Sequence, residues 1–280
     1  MSDPKPPQYP PDEHIVRDLA PVIERDASGS TALLPNVPEL LADNGSPRIG
    51  TLATIVDVVG GETSIREVLP QWIATSSLSL HVGHLPSRGT LRARPRVVRK
   101  GRTTLVMEVD LDHAETGEAL GLSTLGFAIL PKRNALQARV GWAEMPEPRT
   151  TFGAPDSGFT KPLLDTLGVR FDADEPSVTR LAVRPYVINT LGAMQGGVIA
   201  MLIDAAADRY ARHVLGGPSR IRGLEIHYLK LARHGPVRAD VRVLGRLTDG
   251  CLLRVELRDE GQDEVLNTVA TVVAERVTSA

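Results

Sequence analysis

The chain has 280 residues, and its 34 acidic residues nearly balance its 32 lysines and arginines, which leaves a net charge of −2. This balance gives no electrostatic argument for binding nucleic acid or an anionic membrane, and no apolar run reaches the ~18–20 residues of a membrane span. The single cysteine excludes an internal disulfide and a multi-cysteine zinc site. We therefore expect a cytoplasmic protein that contains no metal and no other cofactor.

The first half of the chain predicts a tail, then a strand, a helix and four more strands. Residues 1–30 are predicted to form a proline-rich tail with a short helix around His14 to Arg25, and Gly29–Leu34 leads into a strand. The apolar run Thr51–Val59 predicts a helix that ends at Gly60-Gly61. Short turns and period-two patterns predict antiparallel strands after it. These strands span Ser76–Val82, Gly89–Val98, Thr103–Leu111 and Glu118–Leu130.

The second half of the chain repeats the first. Segments around two histidines match at a spacing of 146 residues, and segments around two aspartates match at a spacing of 147. The matched pairs include His81 with His227, Leu78 with Leu224, Asp57 with Asp204, and Gly50 with Gly197. Because a solenoid unit has only ~20–50 residues, this repeat indicates two copies of a whole domain.

The second copy predicts the same elements as the first. Gly197–Leu215 has apolar residues at helical spacing and is followed by glycines that end a helix. The predicted boundaries are 31–133 for copy one, 134–172 for a linker with a helix near Leu163–Leu167, and 173–280 for copy two. The strands of copy two span Gly223–Leu231, Gly235–Leu244, Cys251–Leu257 and Glu264–Arg276. The predicted fold class is α+β, with two tandem copies of a long central helix wrapped by an antiparallel sheet.

A motif at the start of the second helix resembles a known family. Asn189, Gly196, Gly197 and Asp204 follow the spacing Asn-x6-Gly-Gly-x6-Asp. With the strand pattern, this resembles the hotdog-fold acyl-CoA thioesterases, and most closely the phenylacetyl-CoA thioesterase-like (PaaI-like) group in a tandem, double hotdog arrangement. The resemblance covers residues 175–277 well and 35–133 more weakly, and Gln195 replaces the family's histidine. It implies an acyl-CoA thioester hydrolase that assembles into homo-oligomers.

The resemblance implies a site between two hotdog units, with the loop and helix start from one unit and the aspartate from the other. Copy two keeps the loop, whereas copy one has Ala42, Arg48 and Ile49 at the corresponding positions. Copy one keeps the aspartate, with Thr75, Ser76 and Ser77 at the start of its next strand, where family members often place a serine or threonine that assists the aspartate. We therefore expect one working site per chain. Its predicted residues are Asp57, Ser76, Ser77, Asn189, Gln195, Gly196 and Gly197.

Thioester hydrolysis needs an activated nucleophile and a donor for the developing oxyanion. Unpaired N–H groups at a helix start supply such donors, and Gly196 and Gly197 let a carbonyl approach them. Asp57 is the predicted general base or nucleophile. Asn189 and Gln195 are predicted to position water and substrate.

The opposite crossing, in which the loop of copy one faces the aspartate of copy two, is predicted to be a second, degenerate site. It brings together Arg48, Gly50, Asp204 and Arg222, and we expect an ion-pair cluster of Arg48, Asp204 and Arg222 there. The phosphates of coenzyme A are expected to meet cationic turn residues. The candidates are Lys230, Arg233, His234 and Arg88.

Other interpretations stay open. Because Gln195 replaces histidine, the site is also consistent with acyl-CoA binding or sensing without turnover. Asp57 and Asp204 are also consistent with polar helix residues at the boundary between the two copies. Gly196 and Gly197 are also consistent with close packing of a helix on a sheet. A hydratase and a scaffold without ligand are weaker alternatives. His81 and His227 lie on apolar strands and are expected to be structural rather than catalytic.

Overall fold

The computed structural model describes residues 9–27, 29–132, 137 and 147–277. Within them, the chain is α+β, with two long helices packed against one antiparallel sheet of 13 strands. The helices are α1 (Ile15–Leu19), α2 (Ile49–Val68), α3 (Leu163–Leu167) and α4 (Gly196–Leu215). None of the described helices has the length and apolar content that crossing a membrane requires.

The two halves of the sheet have equivalent strand orders, running outward from a central pair formed by β3 and β10. The strand order is β7-β1-β2-β4-β5-β6-β3-β10-β13-β12-β11-β9-β8. The strands before α3 are β1 (Val22–Asp26), β2 (Gly29–Pro35), β3 (Trp72–Val82), β4 (Thr90–Lys100), β5 (Thr104–His113), β6 (Ala119–Leu130) and β7 (Arg149–Thr151). Those after it are β8 (Arg170–Phe171), β9 (Val178–Leu181), β10 (Ser219–Tyr228), β11 (Val237–Leu247), β12 (Gly250–Asp259) and β13 (Val265–Arg276).

The two copies of the sequence repeat are related in the structure by a pseudo-two-fold axis. In the antiparallel pair of β3 and β10, Ser79 lies opposite Glu225, its equivalent at the repeat spacing. The long helices cross at matched glycines. A Cβ on Gly50 would lie 2.6 Å from the Cα of Met201, and a Cβ on Gly197 would lie 2.6 Å from the Cα of Thr54. Gly197 therefore does permit close packing, but its neighbour is the other helix and not the sheet.

The predicted end of α2 at Gly60-Gly61 is wrong, because the helix continues to Val68 and is followed by Leu69-Pro70. Gly60 is buried against the sheet, and a Cβ there would lie 2.5 Å from Cδ1 of Leu125. Tertiary packing at Gly60 thus keeps the helix intact against the low helix propensity of glycine. In contrast, α4 ends as predicted, at Gly216 in a left-handed conformation.

The predicted helix from His14 to Arg25 is much shorter than expected. It ends at Leu19, since Ala20 adopts a left-handed C-cap and Pro21 follows, and residues 22–26 form β1. The preceding segment is held on the protein by Arg17, whose guanidinium donates to the carbonyls of Pro10 (2.8 Å), Pro11 (2.9 Å) and Phe152 (3.0 Å). Residues 9–27 are therefore integral to the fold, while residues 1–8 lie outside the described part.

The predicted linker carries elements of its own. The helix expected near Leu163–Leu167 is present as α3. Strands β7 and β8 lie at the two ends of the sheet, where they extend copy one and copy two respectively. Residues 133–136 and 138–146, which belong to the predicted linker apart from residue 133, lie outside the described residues.

Candidate functional site

A cavity of about 730 Å³ lies where elements of the two copies meet. Its size is within the range of small-molecule sites. Elements of copy one (α2, the start of β3 and the end of β6) and of copy two (the loop before α4 and the end of β10) line it. The predicted site residues that line it are Asp57, Ser76, Asn189, Gln195, Gly196, Lys230 and Arg233.

The aspartate of copy one meets the helix start of copy two, as the comparison of the copies predicts. Asp57, on α2, accepts a hydrogen bond from Thr75 Oγ1 at 2.7 Å and faces the N–H of Gly197. A Cβ on Gly196 would lie 3.1 Å from Oδ2 of Asp57, so a side chain at that position would press on the carboxylate. The glycine thus keeps the space between the helix start and the carboxyl group free.

The surroundings of Asp57 favour a carboxyl group that exchanges protons near neutral pH. Burial raises the pKa of Asp57 to about 6, because the protein interior disfavours the charged form. The hydrogen bonds from Thr75 and from the Gly197 N–H lower the pKa and oppose the effect of burial. Asp57 is partly exposed and lines the cavity, and its carboxyl group is ionised at pH values above about 6.

The start of α4 offers a backbone donor to the cavity. Gly196 is the first helical residue, so its N–H has no acceptor within the helix. No other acceptor for this N–H is found in the described part of the chain. Gly197, by contrast, directs its N–H at Asp57. Gly196 is therefore the better placed of the two glycines to donate to a substrate oxygen.

Asn189 and Gln195 have different surroundings. The side-chain oxygen of Asn189 accepts from the N–H groups of Leu191 (2.9 Å) and Ala193 (3.3 Å), so it shapes the loop and only its amide nitrogen remains for the cavity. Gln195 precedes α4 but makes no side-chain cap to the helix. Its side-chain oxygen is buried and has no hydrogen-bond partner among the described residues. A polar atom of this kind is available to a bound water or ligand.

Ser76 or Ser77 was expected to support Asp57, but Thr75 is the residue that donates a hydrogen bond to it. Ser76 lines the cavity but donates to the carbonyl of Gly126 at 3.0 Å, and Ser77 does not line the cavity. A bulge between Thr75 and Ser77 in the pairing of β3 with β6 shifts which side chain faces α2. The sequence contains the three residues in a row, and it does not show the position of the bulge.

Two tyrosines at the site were not predicted from the sequence. Tyr228 donates its hydroxyl to the carbonyl of Gly196 at 3.0 Å, and Tyr9 lines the cavity from the segment before α1. Burial, and then the charge of Asp57, raises the pKa of both phenols, so both stay protonated. At the repeat spacing Tyr228 corresponds to Val82, and this difference between the copies is a signal that the sequence does contain.

The opposite crossing holds an ion-pair cluster in place of an open site. Nη1 of Arg48 lies 3.7 Å from Oδ2 of Asp204 and 3.8 Å from Oδ2 of Asp208, and all three side chains are buried. Burial raises the pKa of Asp204 to about 6, while Arg48 and the Gly50 N–H lower it. Arg222 was expected in this cluster, but it pairs with Glu275 at 2.8 Å instead. The cations that pair with the buried aspartates are Arg48 and Arg212, and Arg212 lies 2.7 Å from Asp208.

The cationic residues proposed for coenzyme A are not all at the cavity. Lys230 and Arg233 line it, and Arg233 Nη1 donates to the carbonyl of Gly192 at 3.2 Å. His234 and Arg88 lie outside the cavity lining on turns. His81 and His227 are exposed on the sheet and do not line the cavity either.

Solved structures share this architecture. No protein-family model and no curated protein sequence matches the chain. The tesB protein of Mycobacterium avium subspecies paratuberculosis is 12% identical with a TM-score of 0.63, and the match covers 91% of this chain and 96% of that one. An acyl-ACP thioesterase from Bacteroides thetaiotaomicron is 14% identical with a TM-score of 0.57, over 88% and 97% of the two chains.

A hotdog-fold protein of unknown function from Alicyclobacillus acidocaldarius matches over 92% of this chain and 96% of its own length, with 12% identity and a TM-score of 0.58. At these identities the likeness concerns the fold alone. It agrees with the repeat, with the two central helices and with the single sheet that both copies share. The protein therefore has the double hotdog fold, in which two fused hotdog copies form one unit.

Proposed function

We propose that the protein hydrolyses an acyl-CoA thioester at the cavity between its two hotdog copies. The observation that carries the proposal is the position of Asp57, a buried carboxyl group from copy one, against the first residues of α4 from copy two. A proton acceptor and a backbone donor thus lie side by side in a cavity large enough for a small molecule. That combination matches the two chemical needs of acyl transfer.

In the proposed reaction the thioester carbonyl oxygen accepts from the Gly196 N–H, which stabilises the negative charge that develops on it. Asp57 either takes a proton from the attacking water or attacks the carbonyl carbon itself, and water then releases the acid. The carbon–sulfur bond breaks, and coenzyme A leaves as a thiolate that takes up a proton. Gln195 and the amide nitrogen of Asn189 are placed to position the water and the substrate.

The experiment that tests the proposal is thiol release by the purified protein from short, long and aromatic acyl-CoAs. Turnover that saturates with substrate supports the proposal. Saturable binding without turnover favours the second candidate, an acyl-CoA binding or sensing protein, for which the observation is that Gln195 stands at the helix start instead of a titratable histidine. If the protein neither turns over nor binds any acyl-CoA, both candidate functions are contradicted.

The rate should depend on pH through Asp57. Only the ionised carboxylate accepts a proton or attacks, so kcat/KM is expected to rise about tenfold per pH unit below a midpoint near 6 and to level off above it. Thr75→Val should move the midpoint upward, since the Thr75 hydrogen bond lowers the pKa of Asp57. Thr75→Ser keeps the hydroxyl and is the matched control. A wild-type profile that is flat between pH 5 and pH 8 would contradict the role of Asp57.

Lys230 and Arg233 should affect substrate binding more than chemistry. Both line the cavity on the copy-two side, and their positive charge suits the phosphates of coenzyme A. Replacing each by Gln is expected to raise KM about tenfold with little change in kcat, because these contacts are made in ground state and transition state alike. His234→Gln and Arg88→Gln, which alter residues outside the cavity lining, are the comparison variants. A fall in kcat at constant KM would argue against a binding role.

A further inference from the structure

One glycine of α2 lines the cavity although packing does not require it there. A Cβ on Gly61 would meet a single atom, Cδ1 of Ile73, at 3.9 Å, which is ordinary van der Waals contact. Its neighbour Gly60 differs, because a Cβ there would lie 2.5 Å from Leu125. Glycine in a helix interior is less stable than alanine. Neither close packing nor helix propensity therefore accounts for the glycine at position 61.

Gly61 lies on the same face of α2 as Asp57. Asp57, Gly61 and Ile65 are spaced by four residues, so they follow one another along the helix, and all three line the cavity. From Asp57 to Ile65 the helix rises by about 12 Å. The cavity thus extends from the carboxyl group along α2 for two helical turns.

The walls around this part of the cavity are mostly apolar. Trp72, Ile73, Leu130 and Phe152 line the cavity together with Ile65 of α2. Besides Asp57, the charged group that α2 contributes to the cavity is the carboxylate of Glu62, which Arg25 neutralises through hydrogen bonds of 2.6 and 2.9 Å. The cationic cavity residues Lys230 and Arg233 belong to copy two instead. We call the part of the cavity along α2 past Gly61 the apolar branch, which copy one lines together with Phe152. Both cationic lining residues belong to copy two, where they lie among apolar residues such as Leu191 and Met194.

We infer that Gly61 determines the acyl specificity of the site, and that the apolar branch takes an uncharged acyl group longer than butyryl. The inference rests on the proposed function, since it assigns the acyl end of the same substrate. With the thioester at Asp57 and Gly196, the acyl group runs along α2 past Gly61, and coenzyme A leaves toward Lys230 and Arg233. A side chain at Gly61 enters the path of the acyl group one helical turn beyond the reacting carbon.

The test is a graded series at Gly61. Gly61→Ala, Gly61→Val and Gly61→Leu are compared with wild type on butyryl-, octanoyl- and dodecanoyl-CoA. We expect kcat/KM for octanoyl- and dodecanoyl-CoA to fall in that order, by about tenfold or more for Gly61→Leu, the size of effect that one misfitting group in an apolar pocket causes. Turnover of butyryl-CoA should stay within about twofold. Glu67→Leu, on the exposed face of the same helix, is the control and should change neither.

The outcomes separate this inference from the proposed function. If wild type turns over acyl-CoAs and the series lowers all substrates equally, or none, the proposed function stands and the role of Gly61 is overturned. If wild type turns over no substrate, the proposed function fails, and the same series is measured by calorimetric binding of the same acyl-CoAs. Loss of affinity that grows with acyl length then still supports Gly61 as the size determinant, and loss that is independent of length overturns it.

Discussion

Asp57→Asn is expected to abolish thioester turnover, with kcat/KM falling at least about 10²–10⁴-fold, the contribution of a positioned general base. The amide keeps the shape of the carboxyl group but neither accepts a proton nor attacks a carbonyl. Asp204→Asn is the matched variant, because Asp204 is the repeat equivalent of Asp57 and lies beside Arg48 instead of an open cavity. It should retain turnover within about threefold, since it lies outside the site that reacts.

A gain in stability should accompany that loss of activity. The pKa of Asp57 is raised from 3.8 to about 6, so the protonated form stabilises the fold below pH about 4, and this contribution is lost as the pH rises through about 6. Asp57→Asn avoids the cost of the buried charge and should raise the free energy of unfolding at pH 8 by up to about 3 kcal/mol. The difference should vanish near pH 4, as urea unfolding at the two pH values would show.

This combination separates a catalytic role from a structural one. If Asp57→Asn lost activity because the protein was damaged, its free energy of unfolding would fall along with the rate. Full activity in Asp57→Asn, combined with loss in Asp204→Asn, would show that the crossing has been assigned to the wrong half of the molecule.

Arg48→Met is expected to destabilise the protein by about 3 kcal/mol at pH 8, because breaking a buried ion pair leaves charge without compensation. Asp204 and Asp208 both lie within 4 Å of the Arg48 guanidinium, and Asp208 keeps a second partner in Arg212 at 2.7 Å. The loss therefore falls mainly on Asp204. Turnover at the other crossing should persist in the folded fraction, which makes the effect one of stability alone.

The pH dependence of this variant follows from Asp204. Arg48 lowers the pKa of Asp204, which is nevertheless about 6, so without Arg48 the pKa rises further. At pH 8 the Asp204 carboxylate is ionised in wild type, where Arg48 compensates its charge, and this charge is uncompensated in the variant. At pH 5 the carboxyl group is mostly protonated in both proteins. The destabilisation measured by urea unfolding should thus shrink as the pH falls from 8 to 5. Arg48→Lys keeps a charge and is the control. An equal loss at both pH values would contradict the pairing.

The repeat made most of the fold predictable. Matched positions at spacings of 146 and 147 residues indicated two copies, and differences between the copies predicted which aspartate faces which loop. Asp57 and Gly196 lie together in the structure for that reason. The crossing was predictable because each copy keeps a different half of one site, whereas in a chain without duplication this comparison is not possible.

Other features depended on tertiary contacts that local patterns do not contain. Gly60-Gly61 suggest a helix end, yet packing on Leu125 keeps the helix intact. A bulge in β3 makes Thr75 the partner of Asp57, although two serines follow directly. Tyr9 lines the cavity next to Pro10 and Pro11, whose carbonyls Arg17 binds, while Arg17 also binds the distant carbonyl of Phe152. The composition of this segment predicts only a tail, because it does not show these contacts.

The most direct test of one asymmetric site between the copies is the crystal structure of Asp57→Asn with intact octanoyl-CoA. We expect one molecule per chain, with the thioester oxygen within hydrogen-bond distance of the Gly196 N–H and the acyl chain beside Gly61. The phosphates should lie toward Lys230 and Arg233. Octanoyl-CoA at the Arg48 and Asp204 crossing, or with its thioester away from residues 57 and 196, would contradict the account.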